Sequence, residues 1–130
     1  MKELLDRIKD PGAKSAAEQV ARLMEDLGFK MRGPRKGHVK SAAFYKGKTY
    51  AFSFIPNQSD ILFYCRNPAT DQRPAIHTLA RSNHPGDVNT DRWGRPAENK
   101  KNETKVRLRS PQDVEILASW LSPEARRIVG

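Results

Sequence analysis

Apolar residues recur at helical spacing near the start of the chain. The stripe is formed by Ala16, Val20, Leu23, Met24 and Leu27, which is the spacing of one face of an α-helix. The segment Ser15-Ala16-Ala17-Glu18 is typical of a capping box, so the helix is predicted to begin at Ser15. Gly28 follows the stripe, where a left-handed residue commonly ends a helix. Apolar residues at positions 4, 5 and 8 predict an earlier, shorter helix that Pro11-Gly12 ends.

The pattern then changes to the alternation of β-strands. The predicted strands cover residues 39–45, 49–55, 61–66 and 105–109. In the second strand, Tyr50, Phe52 and Phe54 are expected on one face. The third strand is nearly continuously apolar, which favours an interior position in a sheet. In the last strand apolar residues alternate with basic ones, which predicts a wholly basic outer face.

Residues 67–104 form a different kind of segment. They are rich in polar residues, glycine and proline, and only 76–80 has the pattern of a short helical turn. An excursion of this length without strong periodicity is interpreted as a long, mobile loop. After the last strand, Ser110-Pro111 begins a helix. Ser122-Pro123 repeats the start signal, so a second short helix is predicted to follow it.

These elements predict one α+β domain over residues 1–130. The expected order is α-α-β-β-β-loop-β-α, with helices packed on one face of a mainly antiparallel sheet of three to four strands. The length of 130 residues is typical of a single hydrophobic core. The first residues lack the apolar stretch of a signal peptide, and no apolar run reaches transmembrane length, so a cytoplasmic protein without a membrane partner is expected. The single cysteine, Cys65, lies in an apolar run and is expected to pack in the core.

The charge of the chain changes the functional picture. The formal net charge is +9, and residues 31–70 contain seven cations against the single carboxylate of Asp60. A concentrated positive field attracts phosphate chains and releases their counterions on contact. The charge therefore predicts a DNA- or RNA-binding protein, without separating the two. An acidic protein partner is the alternative, because it would fit the same positive surface.

The predicted nucleic-acid contacts combine these cations with an aromatic residue. They are Arg32, Arg35, Lys36, Lys40, Lys46, Lys48, Arg92, Trp93, Arg95, Lys105, Arg107 and Arg109. Trp93 is included because an aromatic residue between arginines in a polar segment is typical of a contact residue. The strand aromatics, Tyr50 and Tyr64 among them, are interpreted mainly as core.

His38 is the candidate catalytic residue. Neighbouring cations disfavour its imidazolium form, which leaves a neutral imidazole available as a base. The helix end Leu27-Gly28-Phe29, a basic turn, the Gly37-His38 step and a strand closing on Ile55-Pro56-Asn57 together resemble the HicA-type messenger-RNA interferases over about residues 18–56. The resemblance implies an α-β-β-β-α fold like that of double-stranded-RNA-binding domains, with His38 as catalyst. This chain lacks the family's serine between the glycine and the histidine.

A metal-dependent nuclease is a further alternative. Asp87 followed by Glu98-Asn99-Lys100 has the acid and Glu-x-Lys that restriction-type nucleases use to hold magnesium and to place a lysine near the attacking water. Those residues normally stand on adjacent strands, whereas here they lie among glycine, proline and polar residues. His77 and His84 do not have structural-zinc spacing with Cys65, and no nucleotide-binding loop is present in the sequence, so we expect neither a metal nor a cofactor.

Overall fold

The fold is known from a computed structural model that describes residues 2–32, 41–91, 93–97 and 101–130. The helices are α1 Lys2–Leu5, α2 Pro11–Asp26, α3 Asn67–Gln72, α4 Ala75–Asn83 and α5 Pro111–Ala125. The strands are β1 Lys30–Arg32, β2 Ala42–Lys46, β3 Thr49–Pro56, β4 Ile61–Cys65 and β5 Thr104–Leu108. They form one antiparallel sheet in the order β1-β2-β3-β4-β5. The predicted α+β class is confirmed, with five strands in place of three to four.

One face of the sheet packs against the helices. Phe52 lies at its centre, where its ring meets Phe29 edge-on at 5.2 Å and stacks on Phe63 at 5.6 Å between centroids. The buried apolar residues of the described helices belong to the same cluster. Aromatic pairs of this geometry contribute about 0.5–1.5 kcal/mol beyond the area they bury. Apart from one irregularity in β3, side chains alternate along these strands, so the other residues face away from the helices.

Helix α2 begins four residues before the position predicted for it. Asp10 is its N-cap, and its Oδ2 accepts a hydrogen bond of 2.8 Å from the amide of Ala13. Pro11 then occupies the first helical position, where its fixed φ and missing N–H are tolerated. The capping box at Ser15 was therefore a wrong prediction. The predicted end is confirmed, since Gly28 has a φ of 92° and the amide of Phe29 bonds the carbonyl of Met24 at 2.9 Å.

The segment 67–104 contains two helices, which corrects its interpretation as a long loop. Helix α3 starts directly after β4, and α4 buries Ile76 and Ala80 against the core. Farther on, Val88 pairs with Val106, so residues 87–89 run beside the outer edge of β5. The helical turn predicted at 76–80 is confirmed and extends over the whole of α4, whereas α3 is too short to contain the repeated apolar spacing on which sequence recognition of a helix depends.

Helix α5 continues through the position where a break was predicted. Pro123 lies inside the helix, which ends at Ala125. A proline in this position removes one hydrogen bond and usually costs about 3 kcal/mol. Leu121 and Ala125, on either side of it, are fully buried. Burial of this continuous apolar face offsets the proline, so one helix forms in place of two.

Candidate nucleic-acid interface

An extra residue in β3 determines which face Tyr50 occupies. Tyr45 pairs with Tyr50, and the preceding Phe44 pairs with Phe52, so Ala51 is an additional residue in β3. Such a β-bulge shifts the alternation of side chains along a strand. Ala51 and Phe52 are both buried in the core, while Tyr50 faces away from it and is only half-buried. The expectation that Tyr50 shares a face with Phe52 and Phe54 is therefore wrong.

Cations and tyrosine rings alternate across this outer face of the sheet. We call the set the tyrosine ladder; its members are Arg32, Tyr45, Tyr50, Arg66, Tyr64 and Lys105. The Arg32 guanidinium lies 4.1 Å from the centroid of Tyr45, which stacks on Tyr50 at 4.9 Å and 13°. The Arg66 guanidinium lies 4.9 Å from the ring of Tyr50 and 5.6 Å from that of Tyr64. The ammonium of Lys105 lies 5.9 Å from Tyr64.

Strand alternation explains the ladder. Tyr64 stands between the buried Phe63 and Cys65, and it pairs across the strands with Ser53 and Lys105. The chain has three tyrosines and five phenylalanines. All three tyrosines belong to the ladder, whereas the five phenylalanines are buried in the core. The two aromatic residue types are thus sorted to opposite faces, as expected when a hydroxyl must remain in contact with water.

The electrostatics of the ladder are uneven. Arg66 Nε lies 2.8 Å from Glu103 Oε2, so its charge is partly neutralised. Within the part of the chain that the structure describes, Arg32 and Lys105 form no ion pair. Burial raises the pKa of Tyr64, and the effect of Arg66, which lowers it, is outweighed. The phenol therefore stays neutral near neutral pH, and the face remains net positive.

Two other predicted cations flank the ladder at the turn between β2 and β3. Lys46 follows Tyr45 and so faces the helices, where its ammonium lies 5.8 Å from the ring of Phe29. Lys48 is exposed in the turn itself, next to Gly47, whose φ of 59° is in the left-handed region. Lys48 is open to solvent, whereas Lys46 is half-buried.

The predicted basic face of β5 is only partly present. Arg107 is 5% exposed, its Nε lies 3.2 Å from Asp60 Oδ2, and its guanidinium donates to the Asp91 carbonyl. Arg109 is more open, but its guanidinium bonds Asp87 Oδ1 at 2.9 Å. The expectation of a wholly basic outer face is therefore corrected at Arg107, which is a buried, paired cation.

Trp93 and Arg95 belong to a turn built around Asp91. The Asp91 carboxylate accepts hydrogen bonds from the amides of Trp93 and Arg95 at 2.9 and 3.0 Å, and from Arg95 Nε at 3.0 Å. Partial desolvation would raise the pKa of Asp91, but these bonds outweigh it and lower the pKa. Trp93 is 63% exposed and, with the β3–β4 turn, lines a depression of about 670 Å³. That turn lies about 20 Å along β3 from Tyr50, so Trp93 is not a ladder residue.

Other titratable groups serve the fold. Burial raises the pKa of the Cys65 thiol, which confirms Cys65 as an unreactive core residue. Burial also lowers the pKa of His84, whose Nε2 accepts a bond of 2.9 Å from the Trp120 indole. No group of three or more histidine, cysteine or acidic side chains able to hold a metal ion occurs among the described residues.

The remaining predicted site residues lie outside the described residues. They are Arg35, Lys36, His38, Lys40 and Arg92. The catalytic role of His38 and the resemblance to the HicA-type interferases stay predictions. Two residues of the predicted magnesium-dependent nuclease site, Glu98 and Lys100, also lie outside the described residues. Its third residue, Asp87, forms an ion pair with Arg109.

Comparison with known proteins gives no relative. No protein-family model matches the chain, and no curated protein or solved structure matches it significantly. None of the described helices combines the length and the apolar composition needed to cross a bilayer. The residues of the ladder itself are therefore the basis for a functional proposal.

Sequence reasoning missed four members of the ladder as contact residues. Tyr45, Tyr50 and Tyr64 are not among the predicted contacts, because strand aromatics usually face a core. Arg66 is also not among them, although it is one of the seven cations of residues 31–70. A sequence signal for Tyr64 was present. Its two neighbours, Phe63 and Cys65, are typical core residues, and strand alternation then places Tyr64 on the opposite face. The bulge at Ala51 hid the same signal for Tyr50.

Proposed function

We propose that this protein is a nucleic-acid-binding module that contacts phosphates through the tyrosine ladder. The observation that carries the proposal is the alignment of Arg32, Arg66 and Lys105 across the outer face of the sheet. Five strands spaced about 4.8 Å apart place β1 and β5 about 19 Å from each other. Cations spread over that width can follow a phosphate backbone, since such contacts position a strand without reading its sequence.

The overall charge supports the same proposal. The net charge of +9 draws polyanions toward the molecule from any direction and raises the rate of encounter. Ion pairs withdraw Arg95, Arg107 and Arg109 from the available cations. Among the predicted contact cations that the structure describes, Arg32, Lys105 and the neighbouring Lys48 form no ion pair and remain available to phosphates. Binding in the micromolar range is expected at physiological salt.

Charge removal from the ladder tests the proposal. Arg32→Gln and Lys105→Gln should each weaken binding several-fold and reduce the slope of log affinity against log salt by about 0.7 for single strands or 0.9 for duplexes. The control Arg22→Gln removes the same charge from an exposed position on α2, on the helix side of the sheet. Fluorescence anisotropy with labelled RNA and DNA at about 50 and 200 mM salt measures both quantities.

The alternatives give different results in the same assay. Binding that is absent at low salt, or equal in the ladder variants and the native protein, contradicts the proposal. Absence of nucleic-acid binding together with capture of an acidic protein by the ladder favours the protein-partner hypothesis. Shortening of the RNA by the native protein but not by His38→Ala favours the ribonuclease.

A further inference from the structure

We infer that the tyrosine ladder selects single-stranded nucleic acid, whose bases stack on its rings. The inference rests on the proposed function and specifies its ligand. Tyr45 and Tyr50 form one stacked pair, and Tyr64 lies beyond the guanidinium of Arg66. Aromatic rings and guanidinium planes are the surfaces on which unpaired bases stack in proteins that bind single strands. In a duplex the bases stack on each other and cannot reach these rings.

The ladder itself supplies few phosphate contacts. Arg66 shares its charge with Glu103, so Arg32 and Lys105 are the ladder cations without an ion pair to a described residue. Two phosphate contacts give weak binding whose affinity changes little with salt concentration. Base stacking on an aromatic residue strengthens binding by about 5- to 150-fold per base. The rings therefore add to the affinity of the phosphate contacts, and only a single strand can use them.

The rings are also held in place before a ligand arrives. All three tyrosines are half-buried, and a guanidinium lies within 6 Å of each ring. Tyr50 is also held by its stack on Tyr45. Side chains that are already ordered lose little rotational freedom on binding. The same contacts cover the faces of Tyr45 and Tyr50, so a base stacks on either ring by taking the place of a guanidinium, which is then free to contact a phosphate.

Three labelled probes test the inference on the native protein. Each has about 12 nucleotides, which is within the usual range of single-strand sites. They are an unstructured single strand, the same backbone without bases, and a duplex. We expect the single strand to bind at least about fivefold more tightly than either of the others, because one stacked base alone gives about fivefold or more. Equal affinity for all three probes, or tighter binding of the duplex, overturns the inference and leaves the proposed function intact. Binding of none of the probes overturns both.

Paired variants identify the rings that stack. Tyr50→Leu and Tyr64→Leu should lose about fivefold or more in affinity for the single strand while affinity for the probe without bases is unchanged. Tyr50→Phe and Tyr64→Phe keep the ring and should retain the preference for bases. Circular dichroism confirms that each variant is folded. Equal losses in the Leu and Phe variants, or equal losses on both probes, contradict stacking on these rings.

Discussion

The outer face of the sheet has two ends that differ in how their cations are used. At one end, Arg107 lies beneath the Asp91 turn, bound to Asp60 and nearly excluded from water. At the other end, Arg32 and Lys105 lie beside tyrosine rings. Both ends have basic residues on strands, and the sequence does not distinguish them. The difference is whether a carboxylate from elsewhere in the chain is folded against the cation, so a cluster of charges in the sequence overestimates the positive surface.

The largest expected effect comes from removing the carboxylate that pairs with the buried Arg107. Asp60→Asn keeps the oxygen that accepts from Asn57 but removes the charge facing Arg107. We expect the free energy of unfolding to fall by about 3 kcal/mol, because an uncompensated buried cation remains. Urea denaturation followed by tryptophan fluorescence measures the loss. In the control Asp87→Asn, which breaks the exposed pair with Arg109, the loss should stay below about 1 kcal/mol. Equal losses would mean that burial of the Arg107 pair adds nothing to stability.

A smaller effect is expected at the tyrosine ladder. Glu103→Gln releases Arg66 from its ion pair, whose side chains are 27% and 13% exposed. Stability should change by less than about 1 kcal/mol, and nucleic-acid affinity should rise about two- to fivefold, since the released guanidinium can contact a phosphate. Anisotropy titration measures the gain. The exposed Glu115→Gln on α5 removes the same charge far from the ladder, and an equal gain in that variant would assign the effect to net charge.

The smallest effect is local and depends on pH. The pKa of Asp91 is lower in the folded chain than its ordinary value of 3.8, so the bonds of its carboxylate stabilise the turn above that value. This contribution is lost as the pH falls through the lowered pKa. The amide proton signals of Trp93 and Arg95 should therefore shift together below about pH 4, and in Asp91→Asn they should not. Movement of the tyrosine ring signals with them would show that the two ends are coupled.

The sequence predicted the fold class, the end of α2 and the strands of the central hairpin. It did not predict β1, because its three residues are all exposed and leave no pattern of burial. It missed the start of α2 because Pro11 was assigned to the end of a helix. At the candidate site, the cations of the middle third were recognised, but Asp60 and Arg107 are 47 positions apart in the sequence. Pairing over such a distance is a property of the folded chain.

The bulge at Ala51 separates the rings of β3 that can be substituted without affecting the core from those that cannot. Because one extra residue shifts the phase of β3, the ring of Tyr50 before it faces outward, whereas the rings of Phe52 and Phe54 after it face the core. Replacing a ring before the shift alters only the outer surface, and replacing one after it alters only the interior. Ligand preference and thermodynamic stability can thus be adjusted separately within a single strand.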